Sequence, residues 1–372
     1  MKTDARIRNA QELAGEMSLD ALIATSPENS YYTSGTQILT TQMIRDRLAI
    51  TLIPRNGEPC FMVCTIEEKQ ARAESGVKDI RTYVEFEKSP VALAVEVAKE
   101  KGLETARIGF EAESLTARYF QELTKGMPNA RFLPCDHLFD LLRMRKTVEE
   151  SELLQKAARI TEKAIARCYE SSKPGDTEKK MAFTMSSSLL ELGAESIAFN
   201  VLAAGTKNSL EAHHLPTQKR IARGDIVRVD VGGWFSGYLS DLVRMASVGR
   251  PSKNKRSIYE RLVSIQRSII DQAQPGAKVS DLYRLCSQAF QAKSLRFTMP
   301  HIGHSMGLKV HEYPMINPMT EQTLEPGMTI AIEPLCVDPS EGLFHIEDLV
   351  LVTKRGPKIL SDATTTDEMH VI

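Results

Sequence analysis

The sequence has no CxxC pair and no dense cysteine framework: its six cysteines, at 60, 64, 135, 168, 286 and 336, are scattered over 372 residues. That pattern excludes a disulfide-stapled secreted scaffold and reads as reduced, buried thiols in a cytoplasmic protein. Charge of one sign is also lacking. Lys and Arg number 47 against 48 Asp and Glu, for a net charge of −1. Charge therefore gives no case for nucleic acid or an anionic membrane as partner. No run approaches the ~20 apolar residues that span a bilayer, and the opening MKTDARIRNAQELAGEM is too polar for a secretory signal. HExxH is absent, which excludes a zincin.

What is present is unevenly spread. Of eight histidines, six (213, 214, 301, 304, 311 and 345) lie between 213 and 345, as does the single Trp234. The first half alternates in α/β fashion: a strand running into a turn over 21–35, two strands joined at PRNGEP over 47–64, an amphipathic helix over 91–102, and a strand over 106–111. Residues 141–170 read as the junction. There Thr147 and Glu150 form a T-x-x-E capping box and apolar residues follow at helical spacing. Asp176 or Thr177 caps the next helix, near 178–192; strands dominate from 197, apart from a helix or two in 254–292. The length allows two domains.

The second half carries acids inside apolar strands. GDIVRVDVGGWFSGYLSDLVRMASVG (224–249) reads as a hairpin; with its turn centred between Phe235 and Ser236, Asp230 faces Asp241. Carboxylates ~5 Å apart repel by ~3 kcal/mol at an effective dielectric of 20, so a shared proton, an Arg or a metal must offset them. Arg244, three residues on, points to the opposite face. Glu333 ends the run GMTIAIE, and Glu347 opens IEDLVLVT. There is an internal echo: GDIVRVD with GMTIAIE, HHLP with HEYP, SDLV with EDLV, in the same order. It suggests two related halves sharing a cleft. Four carboxylates in one cleft require divalent cations. Oxygen-rich ligands with one imidazole favour Mn, Co, Fe or Zn, and four acids suit two ions better than one.

One motif competes. GHSMG (303–307) fits the G-x-S-x-G of a nucleophile elbow, with Ser305 as nucleophile. An elbow needs a strand before the serine and a helix after it. Here Pro300 precedes, Pro314 follows within nine residues, and GLKVHEY alternates like a strand. The metal reading uses His304 instead and accounts for the acids.

Asp230, Asp241, His304, Glu333 and Glu347, in the settings DVGG…GYLSD, GHSMGLKVHEYP, IAIEPL and IEDLVLVT, resemble the M24 metallopeptidases. DALIATSPENSYYTSG in the first half is similar to the N-terminal domain of the prolidase, aminopeptidase P and creatinase branch. Methionine aminopeptidases lack that domain. The resemblance implies an α/β protein with a creatinase-like N-terminal domain over 1–144. A pita-bread α+β catalytic domain with pseudo-twofold halves would follow over 145–372. It further implies two divalent metal ions (Mn or Co before Zn or Fe) held by those five residues, and a metal-bridging hydroxide as nucleophile. Glu333 would also shuttle protons, His213 and His311 would meet the substrate, and the protein would be a homodimer. The activity implied is an Xaa-Pro peptidase acting on short peptides.

Two departures bear on the substrate. Prolidase-like members carry Arg two residues before the last glutamate; here GLFHIED has His345, a candidate substrate-binding residue. The histidine region reads LEAHHLP rather than the usual proline-histidine form. His214 reads as a neighbour facing away from His213. The alternative function is therefore a metal-dependent hydrolase of a small non-peptide amide or other C–N bond. A metal-free binding module is disfavoured because all five ligands are present.

Overall fold

The computed structural model describes residues 3–44 and 46–372. Its contacts divide the chain into two units, Met1–Arg143 and Met144–Ile372.

The first unit is built on a six-stranded mixed sheet. Its order is Asp79–Tyr83, Cys60–Cys64, Ile50–Pro54, Ala21–Ala24, Arg107–Phe110, Arg131–Pro134. The strands at 50–54 and 60–64 pair antiparallel, as the PRNGEP turn requires. Helix Pro90–Glu100 covers one face with Val91, Leu93, Ala94 and Val97. The stretch after Ala24 is a helix, Pro27–Ser34, rather than the turn expected from its Pro, Asn and Gly. Ser26 accepts from Asn29 N, Pro27 occupies the first turn and Gly35 closes the helix. The same residues that mark turns mark helix ends.

The junction holds two helices, Asp136–Met144 and Val148–Ser171. The break falls where Thr147 takes extended geometry and exchanges hydrogen bonds with Glu150, the capping box legible in the sequence. The next helix, Glu178–Glu191, is capped by Thr177.

The second unit repeats one plan. In its first half, Ile226–Phe235 pairs antiparallel with Ser196–Ala204 on one side and Leu242–Ser247 on the other. Helix Val148–Ser171 packs against this sheet. In its second half, Thr329–Ile332 pairs antiparallel with Gly303–Ser305 and with Asp348–Thr353. Helix Lys253–Gln272 lies against that sheet, and Gln266 Nε2 donates to Ile332 O at 3.0 Å. The sheets meet where Glu347 N donates to Val243 O at 3.4 Å. GDIVRVD and GMTIAIE, and SDLV and EDLV, thus occupy matching places, the architecture of a pita-bread domain, whereas HHLP lies in a turn and HEYP runs into strand Glu312–Met315.

Candidate metal centre

Strand geometry places the acids. The turn in the first hairpin is Ser236–Gly237, both at positive φ (49° and 78°), so Phe235 pairs with Tyr238 and Asp230 with Val243. The two-residue turn with both centres left-handed is the tightest hairpin closure. Asp230 therefore does not directly face Asp241, as a turn one residue earlier would have it. The offset is two residues, and side chains alternate with period two, so both acids keep the same face. Arg244 occupies the opposite face. Its guanidinium donates to Glu162 Oε1 at 2.8 Å and to Asp348 Oδ1 at 2.9 Å, and it also donates to Glu347 O. In the second sheet Ile332 pairs with Asp348, so continuing the register sets Glu333 opposite Glu347.

His304 comes from the middle of Gly303–Ser305 and is 1% exposed. Its Nδ1 donates to Ser305 O at 3.0 Å, which leaves Nε2 with a lone pair. That nitrogen lies 3.5 Å from Glu333 Oε1 and 3.7 Å from Asp241 Oδ2. Burial lowers the His304 pKa to about 4, so the ring is neutral at neutral pH. A lone pair facing two acidic side chains is a donor set of the kind that a cation completes. Ligand atoms of Asp241, His304 and Glu347 all lie within 4.8 Å of one another.

The carboxylates divide by environment. Burial raises Asp241 and Glu347 well above the usual range, and the neighbouring acids add to it. Asp230 is raised by burial too, against the pull of His345 and Arg228. Burial acts upward on Glu333 as well, but His345 and His304 hold it down at about 2. Glu347 Oε1 is buried with no hydrogen-bond partner. An orphaned carboxylate oxygen, an imidazole lone pair and two neighbouring acids are what a hard-to-borderline divalent cation would satisfy. The residues fit the metal.

The histidines expected near substrate have different settings. The His311 ring is 4.1 Å from the His304 ring, and burial lowers its pKa. His213 is exposed in a turn, not a strand, and within electrostatic reach of Asp230 and His311. His214 is buried, with Nδ1 2.9 Å from Glu211 Oε2 and Nε2 3.3 Å from Glu178 Oε2. The two adjacent histidines part because of the turn, not by strand alternation. His345 is buried, and its Nε2 donates to Glu333 Oε2 at 3.2 Å. His301, not singled out by the sequence, brings Nδ1 to 3.6 Å from Glu333 Oε1. Its HxxH spacing to His304, on a strand edge, was the available signal.

Ser305 is 0% exposed and pairs with Ile330 in mid-sheet. Its Oγ has no hydrogen-bond partner, so no base activates it. The two glycines of the motif serve packing. A Cβ at Gly303 would sit 2.0 Å from Ala331 O, and one at Gly307 would sit 2.8 Å from Glu312 Oε2.

Residues 152–354 match the model of metallopeptidase family M24, and 6–145 match the creatinase/prolidase N-terminal domain. An Xaa-Pro dipeptidase of Pyrococcus furiosus is 30% identical over 96% of this chain and 97% of its own. A dipeptidase structure from Pyrococcus horikoshii superposes with a TM-score of 0.88 at 27% identity, covering 99% of this chain and 100% of that one. An Xaa-Pro dipeptidase structure from Bacillus anthracis, 24% identical, covers all of both chains with a TM-score of 0.89 and speaks for the shared fold. The chain belongs to metallopeptidase family M24, in the form that carries a creatinase/prolidase N-terminal domain.

Proposed function

We propose that this metallopeptidase is an Xaa-Pro dipeptidase that works with two divalent cations, Mn or Co before Zn or Fe. Asp230 would hold one ion, Asp241 and Glu347 would bridge, and His304 and Glu333 would complete the second position. The observation that carries this is the neutral His304 Nε2 lone pair set among buried carboxylates. The relatives named above give the substrate class. When bound, the cations polarise the scissile carbonyl and lower the pKa of a water molecule.

The protein's own groups do the rest. Glu333, held ionised by its hydrogen bond from His345, is in the form that accepts a proton. His311, neutral through burial, donates an N–H to the carbonyl oxygen and its tetrahedral successor. His213 meets the substrate from the exposed side. His345 fixes the Glu333 carboxylate and, as a substrate-binding residue, would read a group of the substrate beside it.

A second reading rests on His345 standing where related enzymes carry Arg: the hydrolase would then cut a small non-peptide amide. One experiment separates them. The protein is reconstituted with Mn, Co or Zn and offered Xaa-Pro dipeptides, Xaa-Pro-Yaa tripeptides and non-proline amides, with Asp241→Ala as blank. Metal-dependent release of proline from dipeptides, absent in the blank, is the expected result. Metal binding with no Xaa-Pro cleavage would overturn the dipeptidase reading.

A further inference from the structure

Arg228 lies two residues before Asp230 on strand Ile226–Phe235 and therefore on the same face. It is 1% exposed, among the largest fully buried side chains. A buried guanidinium is costly unless it is paired. Among the described residues no hydrogen bond or ion pair joins Arg228 to a carboxylate. One terminal nitrogen donates instead to two backbone carbonyls, Glu211 O at 2.9 Å and Ala212 O at 2.6 Å, and Nε has no partner. Those carbonyls immediately precede His213. Just beyond it the chain is held again. Glu178, wholly buried, accepts from Thr217 N at 2.9 Å and lies 3.3 Å from His214 Nε2. His213 is exposed, as are Glu211, Ala212 and Leu215, on a stretch held at either end by a buried side chain.

We infer that Arg228 is a positioning residue: by gripping the carbonyls of Glu211 and Ala212 it ties the His213 turn to the strand that carries Asp230. The inference rests on the reading of His213 as a group that meets substrate. An apolar side chain at 228 would fill the same space at lower desolvation cost, and it would leave both carbonyls unheld. Both bonds leave one nitrogen, whose two N–H groups the planar guanidinium holds in fixed directions, so less freedom is lost per hydrogen bond than with a freely rotating ammonium. The turn's position is thereby fixed from the same strand that presents Asp230.

The test is a double-mutant cycle on the metal-loaded protein with Arg228→Met and His213→Ala, read by kcat/KM and by amide hydrogen exchange. Arg228→Met is expected to lower kcat/KM about 10-fold or more, in the range of lost supporting contacts. In the His213→Ala background it should change the rate by less than about 3-fold, because coupled residues are non-additive. Exchange over 205–217 should speed up while the strand at 226–235 stays protected. Multiplying effects, or unchanged exchange over the turn, would overturn the inference. If His213→Ala keeps the full rate, the role given to His213 fails, and the exchange result alone decides whether Arg228 holds the turn. Should Arg228→Met not fold, Arg228→Lys takes its place. One ammonium keeps the charge but not the planar grip, so a smaller rise in exchange over the same turn is expected, and no rise would overturn the inference.

Discussion

His345 Nε2 lies 3.2 Å from Glu333 Oε2, and the other ring nitrogen, Nδ1, is buried without a partner. One imidazole thus fixes one oxygen of a proposed ligand. Removing a group that orients a metal ligand costs 10–100-fold in affinity or activity. His345→Ala is therefore expected to lower both metal affinity and kcat/KM by about that factor. His345→Arg should retain a donor to Glu333 and add a second, forked set of N–H groups. Its expected effect is a higher ratio of dipeptide to tripeptide cleavage. Titration calorimetry with Mn and the two kcat/KM values check this; an unchanged ratio would remove His345 from substrate selection.

Asp241 and Glu347 are buried together, and burial and the neighbouring acids raise both pKa values and so disfavour their ionised forms. Asp241→Asn removes an acid whose ionisation the folded protein disfavours, and with it one of the proposed bridging oxygens. The two effects have opposite signs. In chelator at neutral pH the variant should melt higher than the parent, by about 2–4 °C for each kcal/mol that the raised acid costs the fold. With Mn added the parent should gain stability by mass action and the variant should gain much less. Peptidase activity should be lost. Paired melting curves with and without metal decide it: a variant less stable in chelator would show that the raised acid costs the fold nothing.

The candidate site is legible because its acids interrupt apolar strands, where a charge needs a partner, and the structure brings Asp241, His304 and Glu347 together. Parity did the rest: the hairpin turn was placed one residue early, yet an even register shift left Asp230 and Asp241 on one face. What stayed hidden depended on tertiary context. His301 belongs to no strand and acquires its meaning from the return of Glu333 beside it. Nothing in the sequence marks the role of Arg228, whose partners are carbonyls of a turn remote in the chain. Pro27–Ser34 was misread because Ser, Pro and Gly punctuate turns and helix ends alike.

The GHSMG motif allows a direct test. Ser305 Oγ is buried and lacks a partner, and Ser305 pairs in regular register with Ile330. Ser305→Ala removes a hydroxyl that makes no hydrogen bond. Kinetic constants should match the parent within about 2-fold, and stability should change by less than ~1 kcal/mol, since no buried pair is broken. Loss of activity with intact folding would reopen the serine-nucleophile reading.

Glu178 supplies a pH dependence away from the metal ligands. Burial acts to raise its pKa from the ordinary 4.5, but hydrogen bonds from Thr217, Asn208 and the backbone of Ala204 outweigh burial and lower it. A carboxylate depressed by folding contributes stability that is complete above its ordinary pKa and is lost as pH falls through the lower folded value. In chelator the melting temperature should therefore drop as pH is lowered from about 5 to about 3, with this group contributing. Glu178→Gln cannot titrate, and its amide nitrogen offers a donor where Thr217 N also donates. The variant should be less stable at neutral pH by ~1–3 kcal/mol, the cost of leaving a buried donor unpaired. Its difference from the parent should narrow on acidification, because the parent loses what the variant never had. Melting curves of both proteins across that range check the sign. A difference that stays constant with pH would mean that Glu178 is not the carboxylate whose protonation loosens the far side of the His213 turn.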